Sequence, residues 1–193
     1  RAALGLVPAP LFALELKPAS SRRVTPFPWS DVLIIAGLLL LNGLFSMSEL
    51  AIVSARPARL RLLADRGSSR AKTALALAAD PGKFLSTVQI GITLVGIIAG
   101  AYSGASLGGP TGERLEALGL PADWAPETGF ALVIVLTTYF NLVVGELVPK
   151  QVALRAAEPI AVLAAVPMAF VARATAPFVW LLERSSNLLL RLL

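Results

Sequence analysis

Cysteine and histidine are both absent from the 193 residues of this sequence. Without cysteine, disulfides, thiolate metal sites and thiol nucleophiles are excluded. Without histidine, the commonest general base and transition-metal ligand is missing, which also excludes a serine–histidine triad. Any inorganic ion bound by this chain must therefore meet oxygen ligands, and these are the ligands that hard cations such as Mg²⁺, Ca²⁺ and Na⁺ prefer.

Charge is scarce as well, because 15% of the residues are charged while 56% are hydrophobic. This balance is typical of a protein embedded in a lipid bilayer. The net charge of +5 is not accompanied by interleaved aromatic side chains, so no nucleic-acid partner is expected. We expect an all-α, multi-pass protein of the cell (inner or plasma) membrane.

Three apolar segments are long enough to cross a hydrocarbon core of about 30 Å, which requires about 20 helical residues. A fourth segment, 160–182, contains Arg173, Pro167 and Pro177, and is predicted to be a kinked or interfacial helix. A four-span fold is the alternative. The predicted parts are a disordered or interfacial leader at 1–28, spans at 31–53, 84–107 and 130–148, and juxtamembrane helices at 150–193.

Charges in the connecting segments predict the orientation of the chain. The connection 54–83 contains seven basic and two acidic residues, so we place it in the cytoplasm. Its apolar residues recur at helical spacing. The connection 108–129 contains four acidic residues and one basic residue, which is typical of the outer side. The N-terminus is therefore predicted outside and the basic tail inside.

Each predicted span contains a stripe of polar residues at helical spacing. In the third span, Pro149 has no N–H, so the Gly145 carbonyl loses its helical donor beside the Glu146 carboxylate. A freed carbonyl, a carboxylate and side-chain oxygens form the ligand set of a hard cation. The stripes contain Asn42 and Ser46 in the first span, Gln89 and Thr93 in the second, and Asn141, Gly145 and Glu146 in the third.

Simpler roles are open for the same residues. Serine, threonine and asparagine within spans often only hold helices together, at about 1 kcal/mol each. Glu49 and Glu146 lie near the cytoplasmic ends of their spans, where either carboxylate can pair with Arg56 or Lys150. A glycine ladder in the second span, Gly96, Gly100 and Gly104, fits close helix packing either within the chain or across a dimer.

The stretches "FSMSELAIVSARPARLRLLADRGSSRAKTALALAADPGKFLSTVQIGITLVGI" and "GELVPKQVAL" resemble the transmembrane (DUF21) domain of the CNNM/CorC family. That family contains magnesium and cobalt efflux proteins and hemolysin-C-like proteins. The resemblance covers 29–193 and implies three transmembrane helices with a juxtamembrane helical belt, an outside N-terminus and a homodimer. It also implies a cytoplasmic, nucleotide-binding CBS-pair domain as a partner in the full-length protein.

The resemblance further implies Mg²⁺ export coupled to Na⁺ entry by alternating access, with Mg²⁺ as the substrate ion. Ser46 matches the serine of the first span, and Gly145 and Glu146 match the element of the third. The second span departs from the family pattern, because "QIGITLVG" stands where magnesium-binding members resemble "QIGNNLVN". The side chains at 92, 93 and 96 therefore lack the amides, which leaves Gln89, Thr93 and backbone carbonyls near Gly91 to compensate.

Two other functions are open at this stage. The departure in the second span makes another transported cation an alternative, such as Na⁺, Co²⁺ or a polyamine. A non-transporting anchor for the cytoplasmic CBS module is the other. No enzyme is expected, because without histidine and cysteine the sequence offers no common nucleophile–base pair. A serine–lysine dyad is the one alternative, with Ser48 or Ser54 and Lys150 as its candidates.

Overall fold

The computed structural model describes residues 26–192, and this part of the chain is helical with no strand. The all-α membrane fold is therefore confirmed. Residues 1–25 of the predicted leader lie outside the described range. The helices are α1 (Trp29–Ser54), α2 (Pro57–Asp65), α3 (Ser69–Ala79), α4 (Pro81–Ala117), α5 (Ala125–Leu142), a π-helix (Val143–Leu147), α6 (Val148–Arg155) and α7 (Ala157–Leu192).

Four helical stretches of the described chain are long and apolar enough to cross a membrane. Three of them are α1, α4 and the continuous stretch Ala125–Arg155, and they correspond to the three predicted spans. Trp29 and Trp124 lie at the starts of α1 and α5, and each is 70% exposed. Tryptophan is enriched where helices leave the hydrocarbon core, so both residues fit the predicted outer boundary of the bilayer.

The fourth stretch, Ala157–Ser186 in α7, satisfies the length criterion, and it packs along the part of α1 from Leu41 to Ile52. Ala161 and Met168 belong to a buried cluster with Ile52, near the inner end of α1. Further along α7, Arg173 lines a cleft with Lys83, near the start of α4. The described contacts of α7 therefore reach from the middle of α1 to the start of α4, in the half of the bundle that the loop charges predict to be cytoplasmic. This position fits the predicted juxtamembrane belt.

The predicted cytoplasmic connection folds into α2 and α3, as its helical spacing indicated. Pro57 begins α2, where the missing N–H of proline costs nothing. Gly67 then turns the chain with a positive φ of 97°, a conformation that favours glycine. Ser68 caps α3 by accepting the Ala71 N–H at 3.2 Å. Asp80 caps α4 by accepting the Lys83 N–H at 3.2 Å.

Helix α4 is longer than the predicted span 84–107, because it continues through Pro110 to Ala117. Tertiary packing explains the extension, since glycines let α4 and α5 approach closely. A Cβ on Gly129 of α5 would lie 2.7 Å from the Cα of Gly112 and 2.9 Å from the carbonyl oxygen of Gly108. The predicted outer connection 108–129 is consequently reduced to the residues between Ala117 and Ala125.

The glycine ladder of α4 divides between two environments. A Cβ on Gly104 would lie 2.7 Å from the Phe130 ring, and one on Gly96 would lie 3.8 Å from the Asn141 amide nitrogen. A Cβ on Gly100 would meet no atom within 4 Å. Two members of the ladder therefore serve packing within the chain, and Gly100 faces open space.

Candidate functional site

Two polar side chains of α1 are fully buried at the middle of the span. Asn42 and Ser46 are both 0% exposed. They are four residues apart, so they lie on one face of the helix. That face packs against the π-helix and α6. Polar groups buried at bilayer depth are costly and require partners.

The first partner comes from the third span. The Asn42 side-chain Nδ2 donates a hydrogen bond to Oδ1 of Asn141 at 3.0 Å, across 99 residues of sequence. Gly145 lies next to this pair, because a Cβ there would be 2.8 Å from the Asn141 Oδ1 and 3.0 Å from the Asn42 Nδ2. Only glycine leaves both carboxamides their present positions. The structure thus brings three of the predicted residues together, Asn42, Asn141 and Gly145, and Ser46 lies one turn further along the same face of α1.

The π-helix supplies backbone oxygens to the same region. Val148 donates its N–H to the Val143 carbonyl, five residues earlier, instead of to Val144. Pro149, which would be the next donor, has no N–H. The Val144 carbonyl therefore loses both of its regular partners, and the Gly145 carbonyl loses its α-helical one. The Val144 oxygen points towards Gly43 of α1, where a Cβ would lie 3.0 Å from it.

Two buried oxygens at this site have no hydrogen-bond partner among the described residues. They are Asn42 Oδ1 and Ser46 Oγ. Each unsatisfied buried polar atom costs about 1–3 kcal/mol. By contrast, Ser48, two residues further along α1, donates its hydroxyl to the Leu44 carbonyl at 2.6 Å. The Asn42 and Ser46 oxygens are thus available to a ligand, whereas the Ser48 hydroxyl already donates a hydrogen bond within α1.

The second span contributes less than predicted. Gln89 and Thr93 lie on an exposed face of α4, where Gln89 donates from Nε2 to the Thr93 hydroxyl at 3.3 Å. Among the described residues, α4 packs against α5 but makes no contact with the π-helix. Gly91 is buried under Phe45, whose ring would lie 3.0 Å from a Cβ at that position. The structure does not bring these three residues to the Asn42–Asn141 pair.

The three positions at which the family pattern has amide side chains, 92, 93 and 96, lie in different surroundings. Ile92 belongs to the buried apolar cluster that contains Ile52 and Ala161. Thr93 is exposed. A Cβ on Gly96 would lie 3.8 Å from the Asn141 amide nitrogen. On the α4 side, therefore, no side chain of residue 96 fills the space next to the carboxamide pair.

The two carboxylates of the inner halves differ in their surroundings. Glu49 pairs with Lys150, with 3.9 Å between Oε2 and Nζ, as the simpler alternative predicted. Glu146 is half-buried in the π-helix, and within residues 26–192 it makes no ion pair. The described residues contain no group of three acidic side chains that could hold a metal. A cation at the carboxamide pair would meet mostly neutral oxygens, and the nearest carboxylate in the sequence is that of Glu146, which follows Gly145.

Sequence reasoning missed two features of this site. Gly43 permits the close approach of α1 to the π-helix, and its only sequence signal is a small residue next to Asn42. The π-helix itself exposes the Val144 carbonyl in addition to that of Gly145. π-Helical turns occur frequently at functional sites, but the proline alone indicates a freed carbonyl and not the wider turn.

These features define a multi-pass α-helical membrane domain with oxygen donors gathered at bilayer depth. A family model, the cyclin M transmembrane N-terminal domain, matches residues 33–193. The chain therefore belongs to the cyclin M (CNNM) transmembrane-domain family, and the resemblance drawn from the sequence is confirmed.

Several curated proteins are similar to this chain. UPF0053 protein sll0260 of Synechocystis is 49% identical over 162 residues, which cover 84% of this chain and 36% of that protein. UPF0053 protein YhdT of Bacillus subtilis is 39% identical, with 82% and 35% covered. The polyamine export protein of Escherichia coli is 30% identical, with 84% and 36% covered. The chain thus spans about a third of the length of the curated relatives it matches.

Proposed function

We propose that this domain transports a small cation out of the cell, with Mg²⁺ as the favoured substrate and Na⁺ as the coupling ion. The working unit is a homodimer in the cell membrane that operates by alternating access. One observation carries the proposal: Asn42 Oδ1 and Ser46 Oγ are buried at bilayer depth without hydrogen-bond partners in the described part of the chain. A transported cation is the ligand class that would satisfy them.

The surrounding oxygens fit the same ligand. Asn141 Oδ1 lies 3.0 Å from Asn42 Nδ2, and the Val144 carbonyl oxygen lies against Gly43, the residue after Asn42. Mg²⁺ retains several of its waters and binds through a few protein oxygens. A largely neutral set holds a divalent ion weakly, and weak binding suits a substrate that must leave again. The Glu146 carboxylate supplies the negative charge that draws a cation into the span.

Two serines of α1 provide the sharpest test. Both are buried on the same helix, but only Ser46 has an unengaged hydroxyl. The full-length protein is reconstituted in liposomes, and Mg²⁺ flux is followed with an imposed Na⁺ gradient. Ser46→Ala is expected to lower the flux at least about tenfold, the equivalent of about 1.4 kcal/mol. The matched control Ser48→Ala should retain it.

Glu146→Ala tests the charge in the same assay. It is expected to abolish flux while the protein still elutes as a dimer in size-exclusion chromatography. Unchanged flux in both Ser46→Ala and Glu146→Ala refutes the proposed site. If the unsubstituted protein carries no cation at all, the domain is a membrane anchor for its cytoplasmic module.

A polyamine is the second candidate substrate, and Gly96 favours it. This residue leaves the α4 side of the carboxamide pair without a side chain, so a cation larger than Mg²⁺ has room there. The E. coli relative at 30% identity is a polyamine export protein. We expect Gly96→Asn to reduce polyamine flux and increase Mg²⁺ flux if polyamine is the natural substrate. A matched variant, Gly100→Asn, faces open space and should change neither.

A further inference from the structure

A cleft at the inner end of the bundle lies outside the proposed transport site. It is formed by α3, α4 and α7 and has a volume of about 310 Å³. Its walls include the apolar side chains Leu77, Phe84 and Ala172. Lys83 and Arg173 line it as well, from α4 and α7 respectively. We call it the inner cleft.

The two cations of the inner cleft, Lys83 and Arg173, are exposed. Within residues 26–192, neither makes an ion pair. Asp80 also lines the cleft, but its carboxylate caps α4 through the Lys83 backbone N–H at 3.2 Å. The cleft is therefore left with a net positive charge.

The sequence around Arg173 makes its charge conspicuous. Arg173 is the only charged residue between positions 159 and 182, a stretch with large apolar side chains on its exposed face. The large apolar side chains Phe170, Phe178 and Trp180 are each more than 60% exposed. A lone cation on such a helix lies at the level of the lipid headgroups, where its charge meets phosphate.

We propose that the inner cleft binds one anionic phospholipid of the cytoplasmic leaflet. Lys83 and Arg173 would bind its headgroup phosphate, and the apolar walls would hold the start of an acyl chain. Basic pockets between helices on the cytoplasmic side are suited to anionic headgroups. A free phosphate would use the two cations but would leave the apolar walls unoccupied, so the lipid fits the whole cleft. This site is independent of the proposed transport function.

Binding of phosphatidylglycerol and phosphatidylcholine to the detergent-purified protein tests this proposal, by titration monitored with native mass spectrometry. We expect preferential binding of phosphatidylglycerol. The variant Lys83→Gln/Arg173→Gln should bind it about twenty-five-fold more weakly, because each basic side chain near an anionic surface contributes about fivefold. The conservative variant Lys83→Arg/Arg173→Lys should retain binding.

A matched control removes the same charge elsewhere. Arg61→Gln/Arg70→Gln lies on exposed positions of α2 and α3 outside the cleft, and its affinity should stay within about twofold of the original. The proposal is overturned if both double variants lose phosphatidylglycerol equally, or if phosphatidylcholine binds as well as phosphatidylglycerol. It is also overturned if inorganic phosphate alone competes fully, because the cleft would then be a site for free phosphate. Melting temperatures without lipid verify that each variant folds.

Discussion

Replacing Gly145 by alanine is the substitution that addresses the carboxamide pair most directly. The new Cβ would lie 2.8 Å from Asn141 Oδ1, 3.0 Å from Asn42 Nδ2 and 3.4 Å from Asn42 Cβ. The first two distances are too short for a carbon atom, so at least one carboxamide must move. The hydrogen bond between Asn42 and Asn141, 3.0 Å long, cannot keep its present geometry.

The size of the effect follows from two contributions. Adding a methyl group to a well-packed interior costs about 1–3 kcal/mol, and a weakened buried hydrogen bond costs about 1 kcal/mol. If about 1–3 kcal/mol of this cost falls on ion binding, the affinity for the ion decreases between about fivefold and about 140-fold. We therefore expect Gly145→Ala to fold with reduced stability and to lose most of its cation flux.

The assay compares Mg²⁺ and polyamine flux from proteoliposomes, together with thermal unfolding in detergent. Gly100→Ala is the matched control, because a Cβ at that position meets no atom within 4 Å. Alanine is also the better helix former, by about 0.5–1 kcal/mol, so this control should keep its flux and melt no lower. If Gly145→Ala transports both substrates at the original rate, the carboxamide pair is not the ion site.

Three further substitutions test the packing that positions the site. Gly129→Ala should destabilise the fold by about 3 kcal/mol, because the new Cβ would lie 2.7 Å from the Cα of Gly112. The control Gly109→Ala places its Cβ in open space and should leave the melting temperature unchanged. Tyr102→Phe removes the 2.7 Å hydrogen bond from the tyrosine hydroxyl to Asp31 Oδ1, and the free energy of unfolding should fall by about 1.5–3 kcal/mol. An unchanged melting temperature would contradict a stabilising role for this hydrogen bond between α1 and α4. Glu49→Gln should lower the free energy of unfolding by less than about 1 kcal/mol, because its ion pair with Lys150 is 3.9 Å long and the lysine is 39% exposed. Chemical denaturation measures this change. A decrease of several kcal/mol would mean that the pair is buried in the membrane-embedded protein.

The sequence predicted the three spans because long apolar segments have few other structures available in a bilayer. It also predicted helices in the connection 54–83, where spacing and capping residues agree. The predicted span ended at 107, whereas helix α4 continues to Ala117, although Gly108, Gly109 and Pro110 would favour a break in an isolated helix. The contact of Gly108 and Gly112 with Gly129 overrides that signal, and such a contact is not visible in local sequence.

The polar stripe of α4 illustrates why only part of the candidate site could be predicted. Helical spacing places Gln89, Thr93 and Gly96 on adjoining faces, but it does not determine which neighbour those faces meet. Gly96 contacts Asn141, where α4 still packs against α5. One turn closer to the cytoplasm, Thr93 is exposed, because α4 has separated from the third span and does not contact the π-helix among the described residues. Spacing within one helix fixes a stripe, whereas the divergence of two helices depends on packing across the whole bundle.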